Sequence, residues 1–304
     1  MQSNRPTKLL AVLGPTASGK TSLAVGLARA LGGEILSADS RQVYRGMDIG
    51  TGTDLSEYTS GGAPVPFHLI DIVPAGTEYN LYRYQQDFDT ACADVLSRGH
   101  TPVLCGGSGL YLCAALGKKN FREVPTNAAL RKELEDNTDA ELEQILRSFG
   151  PLHNHTDTET RERCLRAIEI LQFERLHPAP DRQLPPALLI GISFDPETLR
   201  HRIRARLESR LEEGMVDEVK TLLQSGVTPS QLIYYGLEYK FLTQYITGEL
   251  SYADMKENLY HAICQFAKRQ RTWFRKMEKD GYEIHWIDGH LPVSEKIKKV
   301  LEMW

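Results

Sequence analysis

The 304-residue chain lacks the features that mark secreted and membrane-spanning proteins. Its five cysteines are odd in number and form no C-x-x-C pair, which favours reduced thiols in a cytoplasmic protein over disulfides or a zinc site. The longest apolar runs, such as Leu9–Leu13, are far too short to cross a bilayer. The first residues contain no apolar core that could direct secretion. A net charge of −4 gives no overall attraction to nucleic acid, so such contacts would need local basic patches.

What is present is an ordinary globular composition, with 41% hydrophobic and 25% charged residues. Up to about Gly117 short apolar runs alternate with a segment of helical period, residues 80–98, which predicts a largely parallel sheet flanked by helices. The predicted strands are Lys8–Leu13, Glu34–Ala38, His68–Ile72 and Thr101–Cys105. Because ligands gather at the carboxyl ends of parallel strands, we expect the site just after these runs.

The residue pattern changes in the middle of the chain, which is interpreted as a helical insertion. Strand-like runs vanish after residue 117, and charged helical segments follow at 127–135, 139–149 and 158–175. Arg161, Arg163 and Arg166 form a basic helix face there, for which a merely solvated surface is an equal alternative. His153 and His155 have no further ligand pattern and are interpreted as non-ligands.

The last part of the chain predicts a return to the sheet. We expect a strand at 187–193, a helix with apolar residues spaced by four from Leu199 to Met215, and a long helix at 252–279. A strand at 282–287 and a helix at 293–303 complete this part. The predicted organisation is therefore a core at 1–117, an insertion at 118–186 and a continuation of the core at 187–304.

The strongest motif is a phosphate-binding loop between the first strand and the first helix. Residues 14–21 match G-x-x-x-x-G-K-[ST] in the strand-before, helix-after context that the motif requires. The loop consists of Gly14, Pro15, Thr16, Ala17, Ser18, Gly19, Lys20 and Thr21. Its backbone N–H groups, the positive end of the helix and the Lys20 ammonium suit a chain of phosphates. The Thr21 hydroxyl can hold a Mg²⁺ ion shared with those phosphates.

Two further strand ends carry candidate site residues. Asp39 follows the second predicted strand, and its alternatives are a helix N-cap or an outer-shell magnesium carboxylate. Ser108 lies in the turn Gly106-Gly107-Ser108-Gly109, where a helix N-cap is the alternative to a ligand contact. Most arginines of the segment 200–210 are expected to face solvent, with one or two turned inward to hold phosphate.

The second half of the long helix is basic. Residues 268–276 contain five cations with aromatic residues between them, in a chain that is otherwise slightly acidic. Such a segment favours binding of a polyanion.

Taken together, these motifs resemble the tRNA dimethylallyltransferase family in its compact, bacterial form. The motifs are Gly14–Thr21, Ser37–Tyr44, Gly46–Thr51, Gly106–Tyr111, Arg163–Glu169 and Lys268–Gln270 with Trp273. The resemblance implies an α/β fold with a P-loop core and a helical insertion. It also implies transfer of a dimethylallyl group from dimethylallyl diphosphate to N6 of the adenosine 3′-adjacent to the tRNA anticodon. The implied partners are the anticodon stem-loop and Mg²⁺, with no membrane, and we expect a monomer.

The resemblance also implies residue roles. Asp39 matches the catalytic carboxylate, Arg206 matches the diphosphate-binding arginine, and Lys20 and Ser108 complete the catalytic set. The implied tRNA contacts are Asp39, Ser40, Arg41, Gln42, Arg163, Arg166, Tyr235, Gly236, Lys268, Arg269, Gln270, Arg271, Trp273 and Arg275.

The chain departs from the family pattern at three places. Residues 52–54 are Gly-Thr-Asp where many relatives have Ala-Lys-Pro, the first part of a departure that extends to Pro64. Ser108 stands in place of a common Thr, and Glu238 in place of a common Arg.

Three other functions share parts of this pattern. A P-loop kinase for a small metabolite shares the phosphate loop, but the run Cys105-Gly106-Gly107 offers no acidic strand end for Mg²⁺. An enzyme that prenylates free adenine nucleotides would need neither the insertion nor the basic helix. A non-catalytic nucleotide-binding module would not need Asp39 and Arg206.

Overall fold

The computed structural model describes residues 8–150, 156–178 and 180–304, so His153 and His155 lie outside the described residues. The strands are β1 Leu9–Leu13, β2 Gly33–Ala38, β3 Tyr44–Arg45, β4 Phe67–His68, β5 Val73–Pro74, β6 Thr101–Gly106, β7 Ala187–Ser193 and β8 Ile284–Asp288. The helices up to residue 176 are α1 Lys20–Leu31, α2 Leu55–Thr59, α3 Leu81–Ser97, α4 Gly109–Leu116, α5 Ala128–Glu133, α6 Asp139–Ser148 and α7 Arg161–Leu176, with a 3₁₀ helix at Thr156–Thr158. Those that follow are α8 Pro196–Glu212, α9 Met215–Gln224, α10 Pro229–Tyr234, α11 Leu237–Ile246, α12 Tyr252–Lys279 and α13 Val293–Met303.

The chain divides into two compact units, one made of residues up to Gly117 and from Leu184 onward, the other of Lys118–Gln183. The first unit is built on a six-stranded parallel sheet in the order β4-β2-β6-β1-β7-β8, with β3 and β5 paired separately. Every residue of β1 is buried, as expected for a central strand covered on both faces. The predicted α/β fold is confirmed.

The long helix α12 has the predicted bounds. The Ser251 hydroxyl caps its start by accepting a hydrogen bond from the Asp254 N–H at 3.1 Å. Its buried face repeats every three or four residues, as the apolar pattern predicts, with one polar member, Gln270. The buried positions are Met255, Leu259, Ile263, Ala267, Gln270, Phe274 and Met277.

Two sequence predictions of secondary structure were wrong. The predicted strand 68–72 ends at His68, because Leu69 and Asp71 adopt left-handed conformations with φ of 64° and 54°. The N–H groups of Asp71 and Ile72 bond to the carbonyls of residues 42 and 43, outside the six-stranded sheet. The apolar series from Leu199 does not continue as one helix to Met215, since Gly214, with φ of 101°, separates α8 from α9.

The unit Lys118–Gln183 contains α5, α6 and α7 around a small apolar cluster. The buried Glu169 carboxylate joins its parts by accepting hydrogen bonds from Arg131, Arg166 and the Asn127 N–H. The hydrogen bond from Arg131 is the largest of the contributions that lower the pKa of Glu169 to about 2. Glu169 is therefore a buried anion that holds this unit together.

Within the described ranges, no helix is both long and apolar enough to cross a membrane.

Candidate active site

Strands β1, β2 and β6 end at the same level of the sheet, and the candidate site lies at this edge. Gly106 is the register partner of both Leu13 and Ala38. The residues that follow these three strands are therefore neighbours. They are the phosphate loop after Leu13, Asp39 after Ala38, and Gly107 after Gly106. Gly106 and Gly107 allow this close approach because they have no side chain. A Cβ added to Gly106 would clash with the Ala38 backbone, and one added to Gly107 would lie 2.9 Å from the Gly14 carbonyl oxygen.

The phosphate loop has the backbone conformation expected of an anion-binding turn. Gly19 precedes α1 with φ of 78°, and Ala17 also adopts a positive φ of 61°. Burial lowers the pKa of Lys20. The nearby charges of Arg206 and Arg210 lower this pKa further, whereas Cys105 and Asp39 raise it. The loop thus presents a partly buried ammonium beside other cations, an arrangement that favours a bound anion.

Helix α8 sends two arginines to the phosphate loop. Arg206 is partly buried and donates a hydrogen bond to the Thr16 hydroxyl, and Arg202 donates to the Ala17 carbonyl at 2.8 Å. Burial, followed by the nearby charge of Arg210, lowers the pKa of Arg206. Arg206 therefore faces inward, as its predicted role requires.

Asp39 and Ser108 are joined through the backbone of one loop. The Asp39 carboxylate accepts a hydrogen bond from the Arg41 N–H at 3.0 Å, which orients one of its oxygens. The Ser108 hydroxyl accepts from the Ser40 N–H at 3.2 Å and makes no capping bond to α4. Ser108 thus fixes the position of the segment that carries Asp39.

Gln270 has a role that its sequence context did not indicate. Only 5% of it is exposed, and its side-chain carbonyl accepts from the Thr16 N–H at 2.8 Å. Its amide nitrogen donates to the Gly107 carbonyl at 2.9 Å. Both polar ends of its side chain thus bond to the two site loops, and its contact with tRNA stays a prediction.

Sequence reasoning missed the groups that hold the loop at residues 48–52. The Glu218 carboxylate accepts from the N–H groups of residues 48, 49 and 50 at 2.9, 2.7 and 3.0 Å, and from the Tyr239 hydroxyl at 2.8 Å. The Gln42 amide, predicted to contact tRNA, donates to the Gly52 carbonyl at 3.4 Å and accepts from the Ser37 hydroxyl at 2.7 Å. No local pattern marks Glu218, because its backbone partners lie about 170 residues earlier in the chain.

The basic half of α12 presents unpaired cations. We define the α12 cation stripe as Lys268, Arg271 and Arg275, which share one helix face by their spacing. Within the part of the chain that the structure describes, none of the three forms an ion pair, and neither does the exposed Arg269, which lies over the Phe266 ring. Trp273 covers Gly109, where an added Cβ would overlap its indole ring. The stripe is therefore available to a polyanion, whereas Trp273 is half-buried and packs against Gly109.

The remaining predicted contacts lie in two places. Tyr235 is buried, its ring lies 4.5 Å from the Tyr44 ring, and Gly236 adjoins the Arg41 side chain. In the unit Lys118–Gln183, Arg163 pairs with Glu159 and Arg166 pairs with Glu169, so both have intramolecular partners.

The magnesium ion that the sequence predicts at Thr21 would be shared with a substrate. No group of three or more potential side-chain ligands occurs within the described residues, so the protein offers no complete cage there. Mg²⁺ commonly keeps waters and substrate phosphates as ligands and takes only one or two groups from the protein. Thr21 at the start of α1 is in the position for such a group.

Comparisons with known proteins agree over nearly the whole chain. A family model described as IPP transferase matches residues 42–277, and another, described as isopentenyl transferase, matches residues 7–62. The tRNA dimethylallyltransferase 1 of Porphyromonas gingivalis is 52% identical over 298 residues, covering 97% of this chain and 99% of that protein. The tRNA dimethylallyltransferase 1 of Parabacteroides distasonis is 53% identical over 299 residues, 97% of each chain.

Solved structures share the fold. The full-length tRNA isopentenylpyrophosphate transferase of Bacillus halodurans superposes with a TM-score of 0.72 at 31% identity, covering 98% of this chain and 95% of that one. A eukaryotic dimethylallyltransferase acting on tRNA gives a TM-score of 0.76 at 23% identity, covering 93% and 74%, which supports the fold alone.

Proposed function

The chain belongs to the IPP transferase family, and we infer that it is a tRNA dimethylallyltransferase that takes its prenyl group from dimethylallyl diphosphate. The acceptor that we propose is N6 of the adenosine on the 3′ side of the anticodon, and the second product is diphosphate. The observation that carries this proposal is Arg206, which reaches from α8 to Thr16 of the phosphate loop beside the carboxylate Asp39.

The phosphate loop would hold the leaving group. Cleavage of the allylic C–O bond places new negative charge on the diphosphate, where Lys20, Arg206 and the loop N–H groups can stabilise it. Thr21 would hold Mg²⁺, which when bound would supply further positive charge to the leaving diphosphate.

Asp39 is the proposed proton acceptor. Adenine N6 is a weak nucleophile because its lone pair is delocalised into the ring, and loss of its proton as the C–N bond forms removes that handicap. Asp39 lies at the strand end next to the phosphate loop, with one oxygen oriented by the Arg41 N–H. General-base help of this kind is worth about 10²–10⁴ in rate.

The α12 cation stripe is the proposed contact for the RNA backbone. Its cations are unpaired within the described residues and adjoin Gln270, which bonds directly to the site loops.

A stacked adenosine cannot reach Asp39, so the base must be turned out of the anticodon loop. We propose that the protein acts in the cytoplasm, because its proposed substrate is tRNA, and that it is a monomer, because one chain supplies every proposed site residue.

A labelling assay tests the proposal. The protein is incubated with Mg²⁺, labelled dimethylallyl diphosphate and either tRNA or AMP, and in parallel with labelled ATP and candidate metabolites. Label in tRNA is the expected result. Label in AMP, or phosphoryl transfer from ATP to a metabolite with no label in tRNA, would refute it.

A further inference from the structure

Arg210 is a buried guanidinium that the roles described so far leave unused. It lies one turn after Arg206 on α8 and only 6% of it is exposed. Its Nη2 atom is inaccessible to water and has no hydrogen-bond partner among the described residues. The Asp54 carboxylate oxygen lies 3.7 Å from Nη2, too far for a good hydrogen bond, and that side chain is 42% exposed. A buried cation without full pairing is costly unless a ligand completes its surroundings.

Arg210 belongs to the same positive cluster as the phosphate loop. Its charge acts on both Lys20 and Arg206, contributing to the lowered pKa of each. The carboxylates that face this cluster are Asp39, Asp54, Glu57 and Glu238. Burial raises the pKa of Glu238, and the charges of Arg210 and Arg206 oppose that shift. The cluster thus brings three cationic side chains, Lys20, Arg206 and Arg210, to one end of the phosphate loop.

Gly52 leaves room for the Arg210 guanidinium because it has no side chain. A Cβ at Gly52 would lie 2.7 Å from Cζ and 2.8 Å from Nη1 of Arg210. Gly52 also has a φ of 72°, and its loop is held by Glu218 and Gln42. The position of Arg210 therefore depends on a glycine in a rigid loop.

Three residues from two other segments lie around Arg210. Gly52 and Asp54 both adjoin its guanidinium. The charge of Glu238 interacts with those of Arg210 and Arg206.

We propose that Arg210 is a second diphosphate-binding guanidinium, which together with Arg206 and Lys20 holds the leaving group of the prenyl donor. This inference rests on the proposed function for the identity of the donor. Two guanidinium groups one helical turn apart can together contact more oxygens of one diphosphate than a single arginine can.

The test measures binding of inorganic diphosphate with Mg²⁺ by calorimetry, which needs no turnover. Arg210→Met should weaken diphosphate binding about 10- to 100-fold and raise the KM for dimethylallyl diphosphate, while the Kd for tRNA stays within about twofold. The matched control is Arg200→Met, which removes an exposed cation from the same helix and should change nothing. Unchanged diphosphate affinity in folded Arg210→Met would overturn the proposal.

Two further variants cover the case in which Arg210→Met does not fold. Arg210→Lys keeps the charge without the planar fork and should lose about tenfold in diphosphate affinity. Gly52→Ala should weaken diphosphate binding when Arg210 is present but add little in the Arg210→Lys variant, which lacks the guanidinium that the added Cβ would meet, since the backbone strain is the same in both. Additive effects in this cycle would overturn the proposal. If the wild type transfers no label to tRNA, the proposed function fails, but the diphosphate measurement still decides the role of Arg210.

Discussion

Replacing Gln270 tests whether this residue organises the site or contacts RNA. Its side chain bonds at one end to the Thr16 N–H and at the other to the Gly107 carbonyl, and it is almost fully buried. Gln270→Ala leaves both backbone groups without a partner in a place that water does not reach freely. An unsatisfied buried group costs about 1–3 kcal/mol, so the variant should lose about 2–6 kcal/mol of unfolding free energy.

Gln270→Glu separates the two ends of this cross-link. The carboxylate still accepts from the Thr16 N–H but places an oxygen against the Gly107 carbonyl oxygen, where the amide nitrogen lies at 2.9 Å. We expect this nearly isosteric change to disturb the Gly107 turn and to weaken diphosphate binding at least tenfold, because it also adds a negative charge beside the phosphate loop.

The assay follows three quantities for each variant: unfolding by urea, diphosphate binding by calorimetry and tRNA binding by filter retention. Gln265→Ala and Gln265→Glu are the controls, since Gln265 is exposed on the same helix. Stability and diphosphate affinity should fall in the Gln270 variants, while tRNA affinity stays within about twofold. Unchanged stability and diphosphate affinity, combined with a tenfold loss of tRNA affinity, would place the Gln270 amide on RNA and refute this reasoning.

Three other predictions concern the base, the RNA surface and acid stability. Asp39→Ala should bind diphosphate and tRNA normally but lose about 10²–10⁴ in single-turnover rate. Neutralising the α12 cation stripe should flatten the dependence of log tRNA affinity on log salt by about two to three units of slope. Burial disfavours the charged form of Glu34, but hydrogen bonds from Arg98, His68 and His100 outweigh this and lower its pKa to about 2. This carboxylate should stabilise the fold above its ordinary pKa of 4.5, with the stabilisation lost as the pH falls toward 2, so Glu34→Gln should show a weaker pH dependence in urea unfolding.

Each of these has an outcome that contradicts it. Near-normal turnover of Asp39→Ala would remove this residue as the proton acceptor. An unchanged salt slope would place the tRNA on another surface of the protein. For Glu34 the control is Glu302→Gln, an exposed carboxylate on α13, and equal pH profiles for the two variants would show that the Glu34 cluster contributes nothing.

Local pattern in the sequence was enough for the phosphate loop and for most of the core elements. The loop motif lies between an apolar run and a helical period, and all of its defining residues fall within eight positions. The bounds of α12 and α13 follow from apolar spacing alone, as does β7. The strand predicted at 68–72 failed because an apolar run does not reveal that Leu69 and Asp71 adopt left-handed conformations.

Only the tertiary structure decided which polar side chains of these elements enter the site. Five arginines of α8 look alike in the sequence, yet Arg204 pairs with Glu257 on the surface while Arg206 contacts Thr16 and Arg210 is buried against Gly52. The partners lie on segments far away in the chain, 190 residues earlier for Arg206 and 254 for Gln270. Periodicity determines which face of a helix is buried. Whether a polar group on that face is satisfied, and by what, depends on the backbone and charges that other elements place opposite it.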